Sequence, residues 1–196
     1  MRQDLTEIVC VVDQSSSMGS VRDEVISGIN QFIKDQRELD GKANFTLILF
    51  DSTAKIVYDG IDINNMPNLD HSSYRPQGWT AMNDGIAMGI NRIGAKLHGM
   101  PESERPSKVI FAIMTDGEEN SSKEFTTENI KDMIDHQTEK YAWEFIFMAA
   151  NIDVDRAADA IGVRSANRYS FGADSDGVTM AYSTLSSTTA LYRSSK

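Results

Sequence analysis

The chain alternates between short, almost wholly apolar runs and longer stretches in which apolar residues recur every three or four positions. Runs such as residues 9–12 and 108–115 are typical of strands that are buried on both faces of a parallel sheet. Residues 21–33 instead have the spacing of a helix with one apolar stripe. Strands and helices that alternate along a chain in this way predict an α/β fold.

The pattern predicts six strands and five helices. The strands are expected at residues 9–12, 44–50, 54–60, 108–115, 143–150 and 167–171, and the helices at 21–33, 81–97, 126–141, 153–161 and 177–192. Residues 51–53 are too few for a parallel crossover, so the strands on either side of them should form an antiparallel hairpin. The predicted architecture is a three-layer α/β/α sandwich. Its central sheet is mostly parallel with one antiparallel edge strand, and it forms a single domain over residues 1–196, with a core at about 6–171 and a C-terminal helix at about 177–192.

The first apolar run ends in the motif Asp13-Gln14-Ser15-Ser16-Ser17. This motif places three hard oxygen donors on one short loop at the carboxyl edge of the predicted sheet, where open α/β folds bind ligands. Carboxylate and hydroxyl oxygens suit Mg²⁺, Mn²⁺ or Ca²⁺ rather than softer metals. Asp, Ser and Gly are also ordinary turn residues, so the motif alone leaves a plain strand–turn–helix open.

Two later stretches supply further oxygen donors. Thr80 follows a long irregular loop at residues 62–79, and a loop of this length inside a compact domain is usually functional. Asp116 follows the most apolar strand, in the sequence Thr115-Asp116-Gly117. Right-handed crossovers bring the loops after parallel strands to one edge, so Asp13, Ser15, Ser17, Thr80 and Asp116 should converge.

These five residues resemble the metal-ion-dependent adhesion site (MIDAS) of von Willebrand factor A domains, in the same order and on the same elements. The resemblance is greatest to bacterial intracellular members of that family. It implies a divalent cation, usually Mg²⁺ and otherwise Mn²⁺ or Ca²⁺. Ser15 and Ser17 would bind the cation directly, Thr80 directly or through water, and Asp13 and Asp116 mainly through water. An Asp or Glu carboxylate of a protein partner would complete the coordination, so the resemblance implies a metal-dependent protein-binding module.

Two other functions stay open. A Mg²⁺-dependent phosphoryl-transfer enzyme of the haloacid-dehalogenase type would also have an Asp after its first buried strand. It would need a second Asp two residues later, where this chain has Ser15, and a phosphate-binding lysine that the sequence does not place at this edge. A scaffold without metal is the third possibility. We expect a protein without enzymatic activity.

Some residues near the predicted site allow two interpretations. The family often has two glycines before the threonine, whereas Trp79 stands here after Gly78. Trp79 is expected either to anchor a partner or to pack under the long loop. Glu118 and Glu119 would either strengthen metal binding or, as we favour, cap the helix that follows.

The composition of the chain indicates which partners the protein can bind and in which cellular compartment it is expected. The formal net charge of −10 argues against general binding to nucleic acid or to anionic membranes. Cys10 is the only cysteine, which excludes an intramolecular disulfide. The chain has no apolar stretch near 18 residues and no signal-peptide pattern, which predicts a cytoplasmic protein. The oligomeric state is left open between a monomer and an oligomer.

Overall fold

The computed structural model describes residues 1–195, in which six strands alternate with five helices. The strands are β1 (Arg2–Asp13), β2 (Lys42–Phe50), β3 (Ala54–Asp62), β4 (Pro106–Thr115), β5 (Glu144–Ala149) and β6 (Arg168–Ser170). The helices are α1 (Arg22–Arg37), α2 (Met82–His98), α3 (Thr127–Tyr141), α4 (Val154–Ala160) and α5 (Ser175–Ser194). Short 3₁₀ turns lie at Ser16–Val21, Ile63–Asn65, Glu102–Glu104 and Ser165–Asn167.

The strands form one sheet in the order β3-β2-β1-β4-β5-β6. Every neighbouring pair is parallel except β2 and β3, which are antiparallel. The predicted α/β fold, with a mostly parallel sheet and one antiparallel edge strand, is therefore confirmed. β1 and β4 lie side by side at the centre, so the loops that follow them meet at the carboxyl edge.

Helices cover both faces of the sheet. On one face Ile8, Cys10 and Val12 of β1 belong to a buried cluster with side chains of α1 and α5. On the other face Val9 and Val11 belong to a cluster with side chains of α2 and α3. Since successive side chains of a strand point to opposite faces, this division explains why β1 is apolar at every position from Ile8 to Val12.

Helix α2 approaches the sheet closely at its glycines. A Cβ atom added at Gly89 would lie 2.7 Å from Cζ of Phe111 and 2.9 Å from Cδ1 of Ile48. One added at Gly85 would lie 3.2 Å from Val11. Gly85 and Gly89 are therefore sites of close contact between the helix and the sheet.

Several elements extend further than the hydrophobic pattern predicts, and β1 extends furthest. β1 begins at Arg2 because backbone pairing with β4 and β2 reaches beyond the apolar run, as at Arg2↔Pro106 and Leu5↔Lys42. α5 begins at Ser175 because the Asp174 side chain caps it by accepting a hydrogen bond of 2.8 Å from the Gly177 N–H. The expected domain boundary at residue 196 lies one position outside the described residues.

The only cysteine lies inside the core. Cys10 is buried, and its burial raises the pKa of the thiol to about 12. No helix within residues 1–195 is long and apolar enough to span a bilayer.

Candidate functional site

The five predicted site residues lie on three segments of the chain, at the end of β1, before α2 and after β4. Asp13 is the last residue of β1, and Asp116 comes directly after β4. Because β1 and β4 are parallel neighbours, paired at Val12↔Met114, their carboxyl ends lie side by side. Ser15 and Ser17 lie where the chain leaves β1, and Thr80 precedes α2.

Asp13 is a buried carboxylate that is fixed by hydrogen bonds to both of its oxygens. Its side chain is 0% exposed. Oδ1 accepts a hydrogen bond of 2.6 Å from the Ser15 N–H, and Oδ2 accepts one of 2.7 Å from the Thr115 hydroxyl. Burial raises the pKa of Asp13, and the charge of Asp116 acts in the same direction, while the bonds from Ser15 and Thr115 lower it. Asp13 thus holds the loop after β1 in place.

Ser15, Ser17 and Asp116 form a continuous chain of oxygen atoms. The two serine hydroxyls are 3.0 Å apart, and the Ser17 hydroxyl donates to Oδ1 of Asp116 at 2.7 Å. Residues separated by 99 positions are therefore in contact at the sheet edge. We call the side chains of Asp13, Ser15, Ser17, Thr80 and Asp116 the oxygen cluster.

Thr80 is placed beside the loop that follows Asp116. Its N–H donates to the Asn120 side chain at 2.9 Å, and its carbonyl accepts from the Asn120 N–H at 3.1 Å. A Cβ atom added at Gly117 would lie 3.9 Å from the Thr80 hydroxyl oxygen. The hydroxyl therefore faces the backbone next to Asp116, which brings the fifth predicted residue to the same edge.

Trp79 is exposed although both polar atoms of the peptide group before it are hydrogen-bonded. The carbonyl of Gly78 accepts from the Ser16 N–H at 3.2 Å, and the Trp79 N–H donates to the Ser52 hydroxyl at 3.0 Å. The indole side chain is nevertheless 68% exposed. Packing of Trp79 under the long loop is therefore wrong, and the ring lies in solvent beside Thr80.

The expectation for the two glutamates is corrected by the structure. Glu119 does not cap the following helix; its carboxylate accepts from the N–H of Asn83 at 2.8 Å, in the first turn of the preceding helix α2. It also accepts from the N–H groups of Ser121 and Ser122. Glu118 is exposed and lies 3.7 Å from Arg156. The cap of α3 comes instead from Thr126.

Two supporting residues were not predicted. The Thr115 hydroxyl binds Asp13, and the buried Tyr74 hydroxyl donates to the Asp13 carbonyl at 2.6 Å. Burial raises the pKa of Tyr74 well above its usual value. Thr115 is the last residue of β4, beside the end of β1, so its contact with Asp13 could have been predicted from the parallel pairing of the two strands. Tyr74 lies in an irregular loop, where no periodic pattern marks a buried side chain.

The donor set of the cluster fits a hard divalent cation. It combines three hydroxyls with two carboxylates, and two of the hydroxyls and one carboxylate are already within hydrogen-bond distance of one another. Within the described chain, no group of three or more His, Cys, Asp and Glu side chains could hold a metal.

A protein-family model matches most of the chain. The sequence model of the von Willebrand factor type A domain matches residues 7–188. The chain belongs to that family. A comparison with curated proteins finds no match.

Several solved structures share the fold of this chain at low sequence identity. Proximal thread matrix protein 1 from the mussel byssus, solved with a zinc-occupied MIDAS motif, is 15% identical, with a TM-score of 0.61 over 94% of this chain and 46% of that one. The open form of the pilus adhesin SpaC from Lactobacillus rhamnosus GG is 17% identical, with a TM-score of 0.66 over 94% and 30%. BatB from Bacteroides thetaiotaomicron is 16% identical, with a TM-score of 0.60 over 97% and 100%.

This chain spans less than half the length of the mussel protein and of the adhesin. At these identities the likeness establishes the fold alone.

Proposed function

We propose that this von Willebrand factor A domain is a metal-dependent protein-binding module. The oxygen cluster would hold a divalent cation, and a partner protein would supply an Asp or Glu carboxylate to it. The observation that carries the proposal is the hydrogen-bonded chain from Ser15 through Ser17 to Asp116. It joins two loops that are distant in sequence through oxygen atoms alone.

The charge of the cluster favours a carboxylate from outside. Asp13 has both oxygens engaged by the protein, so Ser15, Ser17, Thr80 and Asp116 are the residues that would face the cation. A cation held by few carboxylates keeps uncompensated positive charge and attracts a further anionic ligand. The exposed Trp79 beside Thr80 offers an apolar contact next to that position.

The geometry gives less support to a phosphoryl-transfer enzyme. In such an enzyme Asp13 would have to attack a phosphorus atom. Here its carboxylate is buried and both oxygens accept hydrogen bonds, which leaves it poorly placed as a nucleophile. We therefore propose a binding role and no catalytic one, with a metal-free scaffold as the alternative that the experiment below would reveal.

The test is calorimetric titration of Mg²⁺, Mn²⁺, Ca²⁺ and Zn²⁺ into protein stripped with EDTA. We expect binding at one site, because Ser15, Ser17 and Asp116 are joined by hydrogen bonds and Thr80 lies beside the loop after Asp116. The double variant Ser15→Ala/Ser17→Ala should lose the binding, since it removes two hydroxyl ligands. Ser16→Ala is the matched control: Ser16 is exposed between them and contributes its backbone N–H to Gly78.

Either of two results would contradict the proposal. One is a double variant that binds metal as tightly as the natural protein. The other combines two observations: none of the four cations gives binding heat, and the interaction with a partner survives EDTA. That combination would indicate a metal-free scaffold.

The remaining expectations also stand as proposals. We propose one domain over the whole sequence, a cytoplasmic location and membership of the bacterial intracellular branch. The match over residues 7–188 and the single sheet support the first. The relatives include a pilus adhesin and a byssus matrix protein, so fractionation of the native host is the measurement that decides the location.

A further inference from the structure

A second concave site lies at the other end of the sheet from the oxygen cluster. It is a cavity of about 390 Å³ where the ends of α2 and α3 meet the start of β4. The ten residues of β4 separate the two sites by roughly 30 Å, at about 3.3 Å per residue. Cavities of this volume accommodate small molecules.

The cavity has an apolar floor. Trp143, which is 4% exposed, lies there together with the buried side chains of Pro106 and Val109. Ser107 also belongs to the lining; its hydroxyl is buried and has no hydrogen-bond partner among residues 1–195.

The rim of the cavity is basic. Its ionisable side chains include Arg105, His98 and His136, and no Asp or Glu of the described chain lines it. This contrasts with the net charge of −10 for the whole protein. Arg105 donates to the Met100 carbonyl at 3.0 Å, which orients its guanidinium group at the cavity edge. Asp132 lines the adjoining groove between α2 and α3 and not the cavity itself.

We propose that this cavity binds a small amphiphilic anion, an aromatic or alkyl carboxylate, with its apolar body against Trp143 and its carboxylate at Arg105. An apolar floor below a rim of basic side chains fits this class of ligand. A cation would meet the Arg105 guanidinium and no carboxylate of the described lining, and a purely polar anion would leave the floor without contacts. The site is independent of the metal-dependent function proposed above.

The experiment uses three naphthalene probes of the same shape and different charge: 2-naphthoate, 2-naphthalenemethanol and 2-naphthylmethylammonium. Binding is followed by the two indole N–H signals in a ¹H–¹⁵N spectrum. Trp79→Phe removes one signal and so assigns the other to Trp143. We expect naphthoate to shift the Trp143 signal and to bind about tenfold more tightly than the alcohol, because a charge-assisted hydrogen bond to Arg105 is added. The ammonium probe should bind most weakly.

Gly94 provides a variant that blocks the cavity. It lines the cavity, and a Cβ atom added there meets nothing within 4 Å, so a side chain at this position extends into open space. Gly94→Leu should abolish the naphthoate shift, while Gly94→Ala, which occupies much less volume, should retain most of it. Thermal melting of both variants checks that the fold is kept.

Three results would overturn the proposal. The first is no shift of the Trp143 signal at millimolar naphthoate. The second is equal binding of the three probes, which would remove the role of charge. The third is undiminished naphthoate binding to a folded Gly94→Leu variant, which would place the ligand elsewhere.

Discussion

The hydroxyl of Thr115 is the residue-scale feature on which the geometry of Asp13 depends. It donates to Oδ2 of Asp13 at 2.7 Å and accepts from the Gly117 N–H at 3.2 Å. Both side chains are fully buried. A buried carboxylate oxygen without its donor is desolvated and uncompensated. Thr115 therefore links the end of β4 to the end of β1 at the candidate site.

Thr115→Val should lower the free energy of unfolding by about 1–3 kcal/mol, because it leaves the shape almost unchanged and removes one donor from a buried carboxylate. Urea denaturation measures this loss. Thr179→Val is the control, since the Thr179 hydroxyl is exposed and bonds only within its own helix, to Ser175. Equal midpoints for the Thr115 and Thr179 variants would show that the bond to Asp13 is not stabilising.

The sequence predicted that the five residues of the oxygen cluster lie at one edge of the sheet, but it did not predict the residues that support them. Their placement was predictable because each is a polar residue after a predicted apolar strand or before a predicted helix. Tyr74 and Glu119 act through contacts with segments far away in the chain, at Asp13 and Asn83. Such partners depend on the packed structure, which residue spacing does not encode.

At the scale of elements, two glycines of α2 lie in different surroundings, one packed against the sheet and one beside an open cavity. Gly89 touches the sheet, whereas Gly94, little more than one turn later, lies at an open cavity. The same residue type thus serves close packing at one position and leaves empty space at the other. A helix pattern identifies both positions only as glycines, so sequence alone could not separate them.

Gly89→Ala should destabilise the protein by about 1–3 kcal/mol, because the added methyl group meets Phe111 and Ile48, which are both fully buried. The matched substitution Gly94→Ala should instead stabilise it by about 0.5–1 kcal/mol through helix propensity. Denaturant midpoints of the two variants compare the effects directly. The same sign of change for both would contradict the close approach of α2 at Gly89.

The order of elements was predictable for a related reason. Apolar runs of strand length and apolar stripes of helix period are local signals, and they placed every strand and helix within a few residues. The exception is the start of β1, where backbone pairing with β4 extends the strand into a polar segment.

At the scale of the whole molecule, one sheet joins two separate apolar clusters, one on each face. The loops of the oxygen cluster are anchored to the two central strands and so to both clusters. Binding of a ligand to the folded state alone therefore stabilises the entire domain and not one loop. This gives a second measurement of the proposed metal site.

The melting temperature should rise with the concentration of the bound cation. At 100 times the dissociation constant the expected gain is about 2.7 kcal/mol, equivalent to roughly 5–10 °C for a domain of this size. Differential scanning calorimetry measures the shift, with Ser16→Ala as the control that keeps it. An equal shift in Ser15→Ala/Ser17→Ala would mean that the cation stabilises the protein from another position.

The burial of Cys10 has a practical consequence for spectroscopy. Attachment of a fluorophore or spin label requires the thiolate form, which is scarce at neutral pH for a buried thiol with a pKa of about 12. A cysteine engineered at an exposed position would then be the single attachment point in the folded protein. A pair of engineered cysteines, one at each end of the sheet, would therefore allow distance measurements without prior removal of the natural cysteine.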